Sequence, residues 1–348
     1  MSNKELRMDI SVTAKELADL IVYNYERIKR SMFIWGPPGV GKTQVVTQAT
    51  KKLGIDIRYI SLAMTDAIDW RGVPHVVKEE GECGITKWAR PGFLPIEGAG
   101  LLFLDDFNVA PPTIQASAYD VVLRRAAGEH ELGDRWLPIA AGNRESDRGV
   151  VFEMPSPLRN RMIHVELLPD IDSWKEWAYS NAIHESVVGW LSWKADRLYD
   201  YEGFNKPRGF ATPRSWEMAS DILKAGMPED LERAMVAGVV GDGDAMEFRS
   251  FVKLRNKLPD VEKILKTGKG PVPKDKSVLY ALVGSLTTRL MADGGHAENF
   301  VKYVLTLPVE FSVLAVVDAW NAGRKNELNK APSFMNWTRR HGKFLVNG

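Results

Sequence analysis

Residues 33–43 read FIWGPPGVGKT and have the spacing of a phosphate-binding loop. Gly36, Gly41, Lys42 and Thr43 fill the pattern G-x-x-x-x-G-K-[ST], after an apolar run and before a segment with helical spacing. Glycines let successive main-chain N–H groups turn toward phosphate oxygens, and a helix amino terminus adds partial positive charge. We therefore expect Lys42 to bind the β and γ phosphates of ATP and the Thr43 hydroxyl to ligate Mg²⁺. The predicted nucleotide-binding residues are Gly36, Pro37, Pro38, Gly39, Val40, Gly41, Lys42 and Thr43.

A second candidate for chemistry is LLFLDDFN, residues 101–108, in which four apolar residues run into two aspartates. Burying two neighbouring carboxylates at a strand end costs free energy unless a nearby group stabilises their negative charge. A divalent cation beside a polyphosphate provides that, because phosphate-loop proteins hold the metal from a second strand that ends in a carboxylate. Asp105 is thus the predicted metal-side group, acting through water, and Asp106 is predicted to polarise the attacking water.

Composition argues against several other classes of protein. The chain has 46 Lys and Arg residues and 45 Asp and Glu residues, so its net charge does not favour binding to nucleic acid or to a membrane. The single cysteine, Cys83, excludes internal disulfides, and the six histidines never occur at ligand spacing, which argues against structural zinc. The chain has neither a G-x-S-x-G nucleophile motif nor an apolar run of about 18 residues. We therefore expect a cytoplasmic protein without membrane contact.

Short β-like runs alternate with helical segments up to about residue 170. This alternation predicts a parallel five-stranded α/β sheet covered by helices, residues 1–170. The later chain is mostly helical in pattern, and we expect a helical lid at 171–245 and a helical carboxy-terminal extension at 246–348. The five predicted strands are Met32–Trp35, Ile57–Leu62, Leu101–Leu104, Trp136–Ala140 and Met162–Leu167.

From residue 30 to about 225, the order of motifs resembles the MoxR-like AAA+ ATPases of the helix-2-insert clade. ISLAMTDAIDWRGVP (60–74) is similar to the stretch that precedes the insert in that family. VVKEEGECGITKW (76–88) resembles the hairpin that interrupts helix 2, with its turn at Glu79–Glu82, and ARPGFLP (89–95) resembles the return to the main fold. The resemblance thus implies an insert at about 68–95.

The resemblance also implies roles for three residues beyond the phosphate loop. Asn143 in AAGN resembles sensor 1, which contacts the γ phosphate or the water, although Gly-Asn is also a common turn pair. Arg161 in PSPLRNRM resembles the arginine finger, with Arg159 as the alternative. Arg214 in ATPRSW resembles sensor 2. A cation in the first turn after a Thr212 cap opposes the helix dipole unless phosphate lies near.

One position departs from the family pattern. Asp106 stands where the family most often has glutamate, and aspartate is shorter by one C–C bond, about 1.5 Å. That difference is large against the tolerance of a hydrogen bond to water. The resemblance therefore supports ATP binding more firmly than fast hydrolysis.

For the whole chain, the resemblance implies a homo-oligomeric ring, expected to be hexameric, that uses ATP and Mg²⁺ to remodel a partner protein. The resemblance implies a partner that carries a von Willebrand factor A domain, and a client that the ring matures or loads with metal. Two other functions stay open: a nucleic-acid-dependent motor, and a slowly hydrolysing, nucleotide-gated binding module. Nine Lys and Arg residues between 249 and 276 form either a solvated helix face or a docking surface for nucleic acid or an acidic partner.

Overall fold

The computed structural model describes residues 10–78, 84–147, 151–206 and 208–346. The predicted hairpin turn at Glu79–Glu82 and Cys83 therefore lie outside the described residues. The chain divides into two compact units, with the boundary between Leu168 and Pro169.

The first unit is an α/β fold with a parallel sheet. Its strands are β1 (Ser11–Val12), β2 (Met32–Trp35), β3 (Asp56–Ser61), β4 (Pro74–Val77), β5 (Ile85–Trp88), β6 (Gly100–Asp105), β7 (Ala126–Ala127), β8 (His130–Glu131), β9 (Trp136–Gly142) and β10 (Ile163–Leu167). Its helices are α1 (Ala14–Tyr23), continued by a π-helical turn at Asn24–Ile28, α2 (Lys42–Leu53), α3 (Ala67–Arg71), α4 (Pro112–Arg124) and α5 (Ser156–Arg159), with 3₁₀ turns at Leu62–Met64 and Glu145–Asp147.

The main sheet has six parallel strands in the order β1-β10-β2-β9-β6-β3. All five predicted strands are present, but the predicted count of five is wrong. The additional strand is β1, where Ser11 and Val12 pair with Glu166 and Leu167 of β10. Two residues are too few to show an alternating pattern, so this edge strand has no recognisable signal in the sequence.

The central strands and their helices follow from local sequence. Every residue of β6 and β9 is buried, as expected for inner strands of a parallel sheet with both faces covered. α1 begins with a capping box in which the Thr13 and Glu16 side chains each accept the other's main-chain N–H. α2 ends at Gly54, which has a φ of 64° and satisfies the last carbonyls of the helix.

Two antiparallel hairpins, β4–β5 and β7–β8, accompany the main sheet. The Trp88 N–H donates to Glu129 Oε1 at 2.9 Å, which joins β5 to the turn between β7 and β8. The Arg71 guanidinium lies 5.2 Å from the centre of the Trp88 ring. Trp70 is buried in the core against Phe93, so it is a packing residue.

In the second unit every described element is helical. The helices are α6 (Ile171–Ser180), α7 (Glu185–Trp193), α8 (Pro213–Lys224), α9 (Glu229–Val240), α10 (Asp242–Val252), α11 (Val261–Thr267), α12 (Lys276–Ala292), α13 (Ala297–Val304), α14 (Val309–Asn321), α15 (Lys325–Lys330), α16 (Pro332–His341) and α17 (Lys343–Val346), with 3₁₀ turns at Ala195–Leu198, Gly203–Asn205, Lys253–Lys257 and Gly294–His296. Two apolar clusters form its core, one around Trp190, Trp216 and Phe248 and one around Phe300 and Trp337. The division into a lid and an extension stays a prediction.

Several of the nine basic residues between 249 and 276 are engaged in ion pairs within the second unit. Arg249 and Lys253 pair with Glu229. Arg255 pairs with the largely buried Glu185 at 2.8 Å, and Lys276 pairs with Glu310. These contacts favour the interpretation of a solvated helix face over that of a docking surface. Among the helices that the structure describes, none is long and apolar enough to cross a membrane.

Acid is expected to destabilise the second unit through His184. His184 caps α7, where its Nδ1 accepts the Ser186 N–H at 3.2 Å, and burial together with the Arg255 guanidinium lowers the His184 pKa from 6.5 to about 4. Between these values the native state binds fewer protons than the unfolded state, so stability falls as the pH drops. Urea unfolding at pH 7 and pH 4.5 should show the parent losing about 2 kcal/mol more than His184→Asn, which keeps a capping oxygen and does not titrate. An equal loss in both proteins would contradict this role.

Candidate nucleotide-binding site

The predicted phosphate loop connects β2 to α2, as the motif requires. Gly39 and Gly41 have φ values of 77° and 106°, in the region that side-chain-bearing residues adopt only with strain. Gly41 precedes the first residue of α2, so the free main-chain N–H groups of the helix start face the loop. The local backbone thus has the form that binds phosphate oxygens.

Lys42 lies inside this loop and connects it to the end of β9. Its side chain is 9% exposed, and Nζ donates to Gly36 O at 2.7 Å and to Asn143 Oδ1 at 3.0 Å. Because β9 lies next to β2 in a parallel sheet, the residue after β9 emerges at the same edge as the loop. The ammonium group therefore lies between the loop and the predicted sensor 1 residue.

The two aspartates lie at the carboxyl end of β6, at the same edge of the sheet. Thr43 Oγ1 donates to Asp105 Oδ2 at 3.0 Å, and Asp105 is 9% exposed. The Asp106 N–H donates to Asp105 Oδ1 at 3.0 Å, and Ser61 Oγ donates to Asp106 Oδ2 at 3.4 Å. The hydroxyl of the loop and both carboxylates therefore form one connected polar group.

Asp106 has a left-handed backbone with a φ of 53°. Asp and Asn are the side-chain-bearing residues that adopt this region most readily, since their short polar side chains interact with the local backbone. The sharp turn lets the Asp106 carbonyl accept the N–H groups of Val109 and Ala110 at 3.1 and 3.3 Å. This conformation offers a physical reason for aspartate here that the sequence did not reveal.

The structure therefore brings five predicted residues together: Lys42, Thr43, Asp105, Asp106 and Asn143. They converge because β2, β9 and β6 are neighbouring parallel strands whose carboxyl ends meet at one edge. Their roles in catalysis stay predictions. Hydroxyl and carboxylate oxygens are donors that Mg²⁺ prefers, so Thr43 and Asp105 fit the predicted metal. Within the described ranges, no group of three or more His, Cys, Asp or Glu side chains could hold a metal ion.

The three predicted arginines are exposed, two in the first unit and one in the second. Arg161 follows α5, is exposed, donates a hydrogen bond to the Tyr119 hydroxyl of α4, and lies 5.8 Å from the centre of that ring. Arg159 is exposed and lies 3.8 Å from Glu153. Arg214 is an exposed residue in the first turn of α8, in the second unit.

A histidine joins the arginine segment to the strand that leads into the phosphate loop. Trp35 Nε1 donates to His164 Nδ1 at 2.9 Å, and His164 Nε2 lies 2.7 Å from the Arg159 carbonyl oxygen. Because Nδ1 accepts the hydrogen bond from Trp35, the proton of the ring lies on Nε2, which donates to the Arg159 carbonyl oxygen. This pair of bonds fixes the end of α5 relative to β2.

Sequence reasoning missed the ion pairs that hold the loop after β9. Arg144, directly after Asn143, pairs with Asp147 at 2.7 Å and with Glu166 at 3.0 Å. Burial opposes the charged guanidinium, but hydrogen bonds to these two carboxylates outweigh it and raise the Arg144 pKa. Ser61 was also missed. Its signal was a polar residue next to the end of the predicted strand Ile57–Leu62, near where parallel neighbours place their own functional groups.

Comparison with known proteins gives limited likenesses. No protein-family model matches the chain. Over 149 residues it is 28% identical to replication-associated recombination protein A of Coxiella burnetii, which amounts to 38% of this chain and 34% of that protein. The chain thus spans about a third of the curated relative that it matches.

Solved structures that resemble the chain include a mutant of Thermotoga maritima RuvB, at 19% identity and a TM-score of 0.39 over 78% of this chain and 81% of that one. Brucella abortus NtrX in complex with ATP has 14% identity and a TM-score of 0.37 over 98% and 70%. A putative ATPase from Cytophaga hutchinsonii has 13% identity and a TM-score of 0.35 over 94% and 81%. The fold described above follows from the strand order and the loop geometry of this chain alone.

Proposed function

We propose that this chain is an ATPase of the AAA+ type, MoxR-like, that couples ATP binding and hydrolysis to the remodelling of a partner protein in the cytoplasm. The observation that carries the proposal is the convergence of Lys42, Thr43, Asp105, Asp106 and Asn143 at one edge of the sheet. A lysine inside a glycine loop, beside a hydroxyl and paired carboxylates, matches the chemistry of phosphoryl transfer.

In this proposal the loop binds the phosphates through main-chain N–H groups of residues 39–43 and through Lys42. The lysine already lies within hydrogen-bond distance of Gly36 and Asn143, so a small rotation would redirect its ammonium group to phosphate oxygens. Mg²⁺, held by Thr43 and through water by Asp105, would neutralise charge on the phosphates.

The hydrolysis step needs a water molecule aligned with the γ phosphate. Asp106 accepts a proton from that water in the proposed mechanism, and the Ser61 hydroxyl orients its carboxylate. Asn143 donates its amide to the water or to a γ-phosphate oxygen. Because Asp106 is bonded to Ser61 and follows Asp105 directly, its carboxylate is held at the end of β6 next to the proposed metal position.

We further propose a homo-oligomeric ring, with six subunits as in the family that the sequence resembles. Arg161, exposed beyond α5, would reach the γ phosphate bound by the next subunit, while Arg214 would contact phosphate as sensor 2. The client proposed from the resemblance is a protein with a von Willebrand factor A domain, and the ring would act on it as a chaperone.

Lys42→Ala is expected to weaken ATP binding about 100-fold, because each hydrogen bond between charged groups contributes about 1.5–3 kcal/mol. Isothermal titration with Mg–ATP measures this directly. Lys51→Ala removes an exposed lysine from the last turn of the same helix and should bind ATP like the parent. Unchanged ATP affinity in Lys42→Ala would remove the assignment of the phosphate loop.

A nucleic-acid-dependent motor is the second candidate, favoured by the similarity to replication-associated recombination protein A. The even charge balance and the ion-paired basic residues of the second unit favour a protein client instead. ATPase rates measured with single-stranded DNA, with duplex DNA and with a von Willebrand factor A domain protein would separate the two. Stimulation by DNA alone would favour the motor.

A further inference from the structure

Asn108 makes an unusual pair of contacts behind the candidate site. Its side chain is 2% exposed, in the turn that follows β6. Its Nδ2 donates to the Asn143 carbonyl oxygen at 2.7 Å, and its Oδ1 accepts the Asn143 N–H at 3.0 Å. A single planar amide therefore satisfies both main-chain groups of the predicted sensor 1 residue, because an amide side chain carries a donor and an acceptor side by side.

The residue before Asn143 is shaped to admit this contact. A Cβ at Gly142 would lie 2.3 Å from Asn108 Oδ1 and 2.8 Å from Phe33 Cζ, both far too close. Glycine at this position therefore permits the approach of the amide to the end of β9. The contact between Asn108 and Asn143 is therefore part of the buried packing, because Asn108 is almost fully buried and Gly142 leaves room for it.

Asn108 is linked through Asn143 to the phosphate loop, and through its own carbonyl to the segment before α5. The Asn143 side-chain oxygen accepts a hydrogen bond from the Lys42 ammonium group. The position of the Asn143 main chain therefore determines where the Asn143 side-chain amide lies. The Asn108 carbonyl accepts the Phe152 N–H at 2.7 Å, in the segment that leads to α5 and Arg159. Asn108 itself follows Asp106 by two residues in the same turn.

We propose that Asn108 is a positioning residue for the hydrolysis of ATP, and this proposal rests on the function proposed above. It fixes the Asn143 main chain, and through it the amide that meets the γ phosphate or the attacking water. It acts through Asn143 and does not itself touch the nucleotide. Loss of the double contact would let the amide shift, and a displacement of about 1 Å can lower a rate by about 10².

Asn108→Asp replaces the donor by an acceptor that faces the Asn143 carbonyl oxygen, with almost no change in shape. We expect its kcat to fall about 10²-fold while the Kd for ADP stays within a few-fold, because ADP lacks the γ phosphate. The ratio of the Kd for ADP to the Kd for ATP should fall by the same factor in Asn108→Asp as in Asn143→Ala. Asn108→Ser, which is uncharged, serves if the aspartate variant does not fold.

The decisive measurement is a double-mutant cycle. If Asn108 acts through Asn143, the variant carrying Asn108→Ser and Asn143→Ala should be no slower than the slower single variant. Gln115→Leu is the matched control, since Gln115 is a buried amide of the same unit, 1% exposed, that donates to Ala110 O. It should lower the melting temperature and leave kcat within about two-fold.

The proposal is overturned if folded Asn108 variants keep the parent kcat, or if the two substitutions have multiplicative effects on kcat. Those results would leave the proposed ATPase intact. A parent protein that binds no ATP in the same experiments would instead refute the proposed function, and the role of Asn108 with it.

Discussion

Asp106→Asn should bind ATP with the affinity of the parent and lose turnover by about 10²–10⁴-fold, the usual contribution of a general base. The amide keeps the size of the side chain and suits the left-handed backbone at a φ of 53°, so folding should be unaffected. It cannot accept the proton of the attacking water. Phosphate release and nucleotide binding, measured on the same preparation, separate the two effects.

Two further aspartate variants sharpen this test. Asp120→Asn removes a partly exposed carboxylate that pairs with Arg124 on α4, and should hydrolyse ATP like the parent. Asp106→Glu has the longer side chain that is usual in the family, but glutamate adopts the left-handed backbone region less readily than aspartate. We therefore expect Asp106→Glu to be less stable than the parent. Turnover of Asp106→Asn at the parent rate would reduce Asp106 to a turn residue.

Arg161→Ala should leave ATP affinity within a few-fold and lower turnover about 10³-fold. An arginine supplied by the neighbouring subunit stabilises charge that develops on the γ phosphate and contributes less to ground-state binding. Arg161 is exposed and is held against the Tyr119 ring of its own chain. Tyr119→Phe removes the hydrogen bond and keeps the ring, so it separates the loss of this contact from the loss of the arginine.

Mixing two inactive variants tests whether Arg161 acts between subunits. Arg161→Ala has an intact phosphate loop, and Asp106→Asn has an intact arginine. Mixed rings should recover activity at interfaces where a parental Arg161 meets a parental Asp106. If mixed rings form and no activity returns, Arg161 acts within its own chain or has no catalytic role, and Arg159 becomes the candidate.

The parallel sheet was predictable because its five longer strands are recognisable as short β-like runs, and segments with helical spacing lie between them. β6 and β9 appear in the sequence as mostly apolar runs, and in the structure both strands are buried throughout. β1 was not predicted because a strand of two residues is too short to show alternation of apolar and polar side chains. The loop motif predicted Lys42 and Thr43 directly, since its residues are neighbours in the sequence.

Contacts between distant residues were the part that the sequence did not reveal. Asn108 and Asn143 are separated by 35 residues, and their double hydrogen bond depends on the packing of β6 beside β9. The left-handed backbone of Asp106 is equally invisible in a string of residue types. Arg144 could be seen beside Asn143, but its carboxylate partner on β10 could not.

Steady-state release of inorganic phosphate shows whether this site binds and hydrolyses Mg–ATP. Parent protein with ATP and Mg²⁺ should release phosphate at a rate that grows with protein concentration. The release should vanish when EDTA removes the metal, and Lys42→Ala purified in parallel should stay at background. Phosphate release by Lys42→Ala at the parent rate, or none above background by the parent, would refute the proposed ATPase activity.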